Sequence, residues 1–247
     1  MKKNFRPFSS FLALLFYFIL FLYIGLRFNY SYDWFTLMDY SGVIFKGWYM
    51  TVLLSLVSMF FSLIFGFILF LLKKSSIKTF EYIGKIFTEF MFGSPLLVLV
   101  VILYYIVARA FYVNDKFIAA VIILTLYNSS YVSEIYRGGI ENIPEGQWKA
   151  ARVYGFTNYQ TYRHIILPQV LKTILPPLTG QMALMVKSTA LLSYMAVNEF
   201  FNTIMGINSV TFAYIEGYIF LALGYLIITI PISMGIKYME RKLQVIS

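Results

Sequence analysis

The chain has no cysteine, one histidine and seven prolines in 247 residues, and only 13% of its residues are charged. Without thiols it forms no disulfide and no thiolate metal site. The single histidine, His164, has no second imidazole with which to build a metal centre. Acidic residues are also scarce, eleven against twenty basic, for a net charge of +9. No Gly-x-x-x-x-Gly-Lys-Ser/Thr loop, His-Glu-x-x-His or Gly-x-Ser-x-Gly occurs, and no carboxylates cluster in a soluble segment. The usual sequence routes to nucleotide hydrolysis, zinc hydrolysis and serine nucleophilic catalysis are therefore missing.

What the chain has in quantity is apolar surface: 60% of residues are hydrophobic and 20% aromatic. A soluble domain of this length cannot hide that much, so lipid must solvate part of it. Apolar runs of bilayer-spanning length, ~20 residues, fall at about Phe8–Phe28, Ile44–Leu72, Ile86–Val107, Phe117–Tyr136, Leu175–Val197 and Tyr214–Ile236. The expectation is an all-α, polytopic membrane helix bundle of about six transmembrane helices. The first run follows Lys2, Lys3 and Arg6 as a signal peptide would. It is long, however, and Gly25-Leu26-Arg27-Phe28 offers no small-x-small cleavage site, so a retained span is expected.

The basic residues sit in short clusters between apolar runs, which argues against nucleic acid as a partner. With the N-terminus inside, fifteen of the twenty fall on inner segments, among them Lys73, Lys74, Lys78, Arg137, Lys149, Arg152 and Lys237. The outer segments keep Arg27, Lys46, Arg109 and Lys116 beside Asp33, Asp39, Asp115 and Glu199. By the positive-inside rule both termini are cytoplasmic, and so is the segment Lys149–Pro168. Most of the aromatic load then faces lipid or the interfaces, with Trp34 and Trp48 near the outer boundary. Asn29-Tyr30-Ser31 fits a glycosylation sequon and carries little weight here.

The cytoplasmic segment reads as two short helices at an angle. Pro144 and Glu145 suit the start of the first, and Gly155 ends it in the left-handed conformation. Thr157 or Asn158 caps the second, which is expected to close at Pro168. Read bottom-up, this is a polar helix–glycine–helix loop that is costly to keep in so apolar a chain unless another protein binds it.

The spacing of Lys149-Ala150-Ala151, Gly155 and Ile165-Ile166-Leu167-Pro168 resembles the coupling loop of ATP-binding-cassette (ABC) importer permeases. Further ordered segments extend the likeness from about Gly47 to Leu243. Gly93-Ser94-Pro95-Leu96-Leu97 resembles the Gly-Thr-Pro-Leu-Leu motif of polar amino-acid importer permeases, of the histidine, lysine/arginine/ornithine and glutamine type. Asn128 to Ile140 and Lys187-Ser188-Thr189-Ala190-Leu191 are similar to that family's fourth- and fifth-span motifs.

The resemblance implies a type I ABC importer permease fold. A five-helix core with its coupling loop (43–247, loop 138–172) would follow an extra N-terminal tail, span and outer loop (1–42). It implies a bacterial inner-membrane subunit that is not itself an enzyme and forms half of a translocation path with a second permease, identical or different. Two ATPase subunits would dock on Lys149, Ala150, Ala151, Gly155, His164, Ile165, Leu167 and Pro168 and hold Mg-ATP, so that this chain needs no cofactor. An extracytoplasmic amino-acid-binding protein would deliver the substrate. Three departures stand out: Lys149 replaces the family's glutamate, Phe92 an arginine, and Ser188 an aspartate.

Ionisable groups inside apolar runs are costly and mark function by default. Glu134, with Asn128 and Tyr131 on a partly polar strip, faces either a substrate ammonium or basic side chain, or pairs with Arg137 at i+3. Lys187, about midway along its run and beside Ser188 and Thr189, either holds a substrate carboxylate or forms an interhelical ion pair. The expected substrate is a polar amino acid, with basic ones slightly favoured by Glu134 and the Ser-Thr-Ala-Leu variant, and a dicarboxylic amino acid or cystine the alternative if Lys187 lies in the path. An ion-coupled secondary carrier is the alternative, but it calls for inverted repeats and coupling sites, and no convincing repeat is visible.

Overall fold

A computed structural model of the chain describes residues 7–27 and 33–244. The sequon at 29–31 and the basic residues at 2, 3 and 6 lie outside that range. Helix α1 (Pro7–Arg27) comes first, then the short α2 (Trp34–Met38) and the long α3 (Ser41–Lys73). After α4 (Lys78–Gly93) and α5 (Leu96–Ile102), which continues through π-helical turns to Ala108, comes α6 (Lys116–Glu141). The cytoplasmic segment supplies α7 (Glu145–Val153) and α8 (Asn158–Gln160). The chain ends with α9 (Leu167–Ser188), α10 (Phe200–Thr211) and α11 (Tyr214–Gln244). No strand occurs among the described residues.

The centre of the bundle is the α3–α6 pair. Thr51, Ser55, Ser58 and Ser62 repeat every three or four residues down α3 and are fully buried. Ser55 and Ser62 turn their hydroxyls back onto the carbonyls four residues earlier, both at 2.7 Å, and Ser62 adds a longer contact to the Thr125 carbonyl of α6 at 3.4 Å. Such small residues let backbones approach where lipid supplies no hydrophobic drive. At Gly66 the approach is closest: a β-carbon there would lie 2.7 Å from Val132 and 3.0 Å from the Ser129 carbonyl. Leu54, Val100, Ile123, Leu124 and Leu192 fill the core around this seam.

Three expected spans match long apolar helices, Ser41–Lys73, Lys116–Glu141 and Tyr214–Glu240. The other three differ. The third run is not one helix: α4 and α5 meet at a bend of 112°. Ser94 and Pro95 are both extended there (ψ 132°), because a residue before proline is pushed out of the helical region. The fifth run begins earlier and stops at Ser188, whence a tight 3-10 turn runs to Ala196 in the left-handed region (φ 53°). Pro176, Pro177, Gln181 and Lys187 make α9 too polar to count as a span by composition alone. In α1 every described side chain is exposed, and its apolar stretch Phe11–Arg27 falls just short of a span.

Candidate functional site

Two places gather the polar chemistry, one between α6 and α9 inside the bundle and one at its inner end. Inside, Asn128 is buried and donates to the Leu124 carbonyl at 2.9 Å, while its Oδ1 accepts from Gln181 Nε2 at 2.6 Å. One turn inward, the Tyr131 hydroxyl meets that of Tyr127 at 2.9 Å, and its ring stands edge-on to Phe92 with centroids 4.6 Å apart. A cavity of about 490 Å³ opens between Tyr131, Glu134 and Ile135 of α6 and Pro177, Gly180, Gln181 and Leu184 of α9.

Glu134 closes the inner end of this cavity, held between two cations. Arg137 bonds its Oε2 at 2.6 Å and reaches on to Glu141. Lys73, at the end of α3, lies 2.5 Å from its Oε1 and donates a second bond to Ser133 Oγ at 2.8 Å. The i+3 partner was readable from sequence; Lys73 was not.

Lys187 is not brought to Glu134. Contacts of Gln181 with Asn128 and of Ile174 with Gly139 show α9 running antiparallel to α6. Lys187 therefore lies six residues, about 9 Å, outward of Gln181, at the end of α9 rather than at mid-span. It is exposed and has no hydrogen bond or ion pair among the described residues. Ser188 and Thr189 turn their hydroxyls onto the Leu184 and Val186 carbonyls at 3.0 and 2.9 Å. Gly93, Ser94 and Pro95 form the bend beneath Phe92 rather than a wall of the cavity.

Toward the outer side, packed between the spans α3 and α11, sits a carboxylate that the sequence placed only on an outer segment. Glu199 is fully buried at the start of α10 and accepts from the Asn202 and Phe201 amides at 2.7 and 2.9 Å. The Thr51 and Tyr225 hydroxyls add longer bonds, both 3.3 Å. Asp33, exposed and capping α2, is held below its usual range by the Thr36 hydroxyl and amide.

At the inner end the loop is built largely as its sequence suggests. Lys149 and Glu145 pair at 3.2 Å on the exposed side of α7. Gly155 has φ +77° with open space around it. Thr157 caps α8, and Gln160 reaches back to the Thr157 amide at 2.9 Å, a full capping box. Two details depart from expectation. The second helix does not close at Pro168 but runs on as α9. Residues Thr161–Ile166 widen into π-turns, so that the Leu167 amide bonds the Tyr162 carbonyl. The loosened turn absorbs a proline that would otherwise clash with an α-helical carbonyl four residues back. Ala151, expected on the docking surface, is 2% exposed; the Phe156 amide bonds its carbonyl at 3.0 Å as the chain turns back under α7. Lys149, Ala150, Gly155, His164, Leu167 and Pro168 are exposed, and Ile165 is half-buried.

The loop is also anchored. Ile143, Ile166, Val170 and Ile174 form a small core into which Trp148 and Ile165 pack, tying α7 to the inner ends of α6 and α9. The tip beyond this core is apolar and uncovered: Val153, Tyr154 and Tyr159 are 86%, 81% and 69% exposed.

Residues 74–245 match the family described as "Binding-protein-dependent transport system inner membrane component". The chain belongs to that family. Its relatives include the probable glutamine ABC transporter permease GlnM of Bacillus subtilis, 34% identical over 84% of this chain and 96% of that protein. The arginine transport system permease ArtQ of the same organism is 30% identical over 84% and 98%. A solved structure described as an amino acid ABC transporter with histidines superposes with a TM-score of 0.80 at 32% identity, covering 86% of this chain and all of the other. An inward-facing MetNI methionine ABC transporter shares the fold, with a TM-score of 0.65 at 18% identity over 85% of this chain and 98% of the other. This permease is thus an all-α, multi-pass inner-membrane subunit of an amino-acid ABC importer, with the type I permease fold.

Proposed function

We propose that this permease forms half of the path of an ATP-driven, binding-protein-dependent importer of polar amino acids. Two ATPase subunits dock on Lys149–Pro168 and hold the Mg-ATP, while a second permease, identical or different, completes the path. An extracytoplasmic binding protein delivers the amino acid, since the outer segments are short, and both termini are cytoplasmic. The observation that carries the docking reading is the exposed tip of Val153, Tyr154 and Tyr159 on a loop anchored to α6 and α9. An uncovered apolar tip on a polar face marks an interaction site, and this anchoring lets closure of the ATPases move two helices that line the cavity. The expectation of basic substrates rested on Glu134 and on the Ser188-Thr189-Ala190-Leu191 variant of the fifth-span motif; the pairing of Glu134 with Lys73 and Arg137 weakens the first ground and leaves the second untouched. An ion-coupled carrier is not favoured by the family, whose members work with binding proteins.

Gly155→Val tests the docking. A β-branched residue at φ +77° is strained, at a cost of about 1–3 kcal/mol, yet nothing crowds the site, so insertion should survive. The expected result is a correctly inserted chain that no longer co-purifies with its ATPase and no longer supports ATP-dependent uptake. Uptake at the unaltered rate would refute the docking assignment.

A further inference from the structure

We infer that Gln181 selects the substrate's side chain and that the path is built for an amino acid whose side chain is uncharged and hydrogen-bonding; this rests on the importer reading above. Glu134 has Lys73 and Arg137 on its two oxygens and has no oxygen left without a cation. Lys187 has no hydrogen bond or ion pair among the described residues. It follows Pro177, Gly180, Gln181 and Leu184 at helical spacing, so it continues the face of α9 that lines the cavity. The free charge beside the cavity is therefore positive. It attracts an amino acid's carboxylate and repels a cationic side chain.

The orientation of Gln181 then follows from a chain of bonds. Asn128 gives its amide nitrogen to the Leu124 carbonyl, which turns its oxygen toward Gln181. Gln181 must answer with its own nitrogen, and its Oε1 is left turned away. That carbonyl and the second N–H have no protein partner among the described residues, and Gln181, 7% exposed overall, lines the cavity. An amide on a cavity wall with bonds to offer discriminates strongly once a ligand covers it, because the wrong ligand leaves it unpaired. A carboxamide side chain fits: its NH₂ meets Gln181 Oε1, and its carbonyl accepts from the second N–H or from the Tyr131 hydroxyl. A hydroxyl satisfies the same oxygen. A carboxylate side chain meets that oxygen with repulsion, and an aliphatic one leaves it unpaired.

The test is equilibrium binding of radiolabelled L-glutamine, L-arginine and L-glutamate to the purified permease–ATPase complex in detergent, without binding protein. Glutamine is expected to bind tightest, with the other two weaker by about tenfold or more, a difference of ~1.4 kcal/mol. The near-isosteric Gln181→Met should lose that preference, Gln181→Glu should shift it toward arginine, and Lys187→Met should weaken glutamine and narrow its margin over arginine. Arginine binding tightest to the unaltered complex overturns the proposal. So does unaltered glutamine binding by a Gln181→Met complex that still co-elutes with its ATPase. Should that variant not assemble, the ranking on the unaltered complex decides. Failure of the importer reading looks different: no ATPase co-elutes and ATP drives no uptake of any amino acid.

Discussion

Replacing Lys73 by methionine tests the arrangement on which the charge balance of the cavity depends. The Lys73 side chain is 8% exposed and that of Glu134 30%, so the pair is only partly screened. Methionine keeps most of the stem volume and removes the ammonium, with its bonds to Glu134 Oε1 and Ser133 Oγ. Breaking a buried pair outright costs about 3–5 kcal/mol. Arg137 still holds the other carboxylate oxygen, so the loss is nearer that of one hydrogen bond to a charged group, about 1.5–3 kcal/mol. For a chain of this size each kcal/mol moves the midpoint by about 2–4 °C. A drop of roughly 3–12 °C is therefore expected when heated, detergent-solubilised samples are scored for monodispersity by size exclusion.

The double variant separates coupling from mere loss of packing. With Glu134→Gln in place there is no charge to strand, so adding Lys73→Met should cost about 1 kcal/mol less than it does alone. The single variant also frees half of the Glu134 carboxylate beside the cavity, so arginine binding should rise relative to glutamine. Purely additive midpoints, or a Lys73→Met midpoint within 1 °C, roughly the assay's resolution, would refute a coupled pair.

Other outcomes follow from single contacts. Gly66→Val places its β-carbon 2.7 Å from Val132, forcing α3 from α6 at about 1–3 kcal/mol, and should lower the same thermal midpoint. Tyr154→Glu, on the exposed tip of the loop, should weaken co-purification of the ATPase without moving the thermal midpoint of the permease alone.

What the sequence made legible was whatever depends on neighbours along the chain. Hydropathy located the long helices, and local chemistry located the left-handed Gly155 and the Thr157 cap. The same local rules failed where an apolar run hides a change of axis. Hydropathy carries no direction, so the residues from Ile86 to Val107 read as one span although Ser94 and Pro95 turn it by 112°. Pro168 misled in the opposite sense: it follows a widened turn at the start of α9 and does not end the helix, just as Pro176 and Pro177 do not end it further on.

The cavity's chemistry depends on pairs that no local rule reaches. Gln181 and Asn128 are 53 residues apart, Lys73 and Glu134 61, and Thr51 and Glu199 148. A signal for Gln181 did exist, a lone carboxamide in an otherwise apolar run, and by the cost of burying an unpaired polar group it needed a partner. Lys73 gave no such signal. As a lysine at the inner end of a span, it fits the positive-inside rule as fully as Lys74 beside it. Yet Lys74 lies over the Phe70 ring at 5.5 Å, while Lys73 is buried against Glu134. One residue of rotation, about 100° on a helix, separates a topogenic charge from one that cancels the carboxylate at the inner end of the cavity. That rotation is set by how α3 packs on α6, at the close approach of Gly66 to Val132, and so the charge a substrate meets is decided by helix packing.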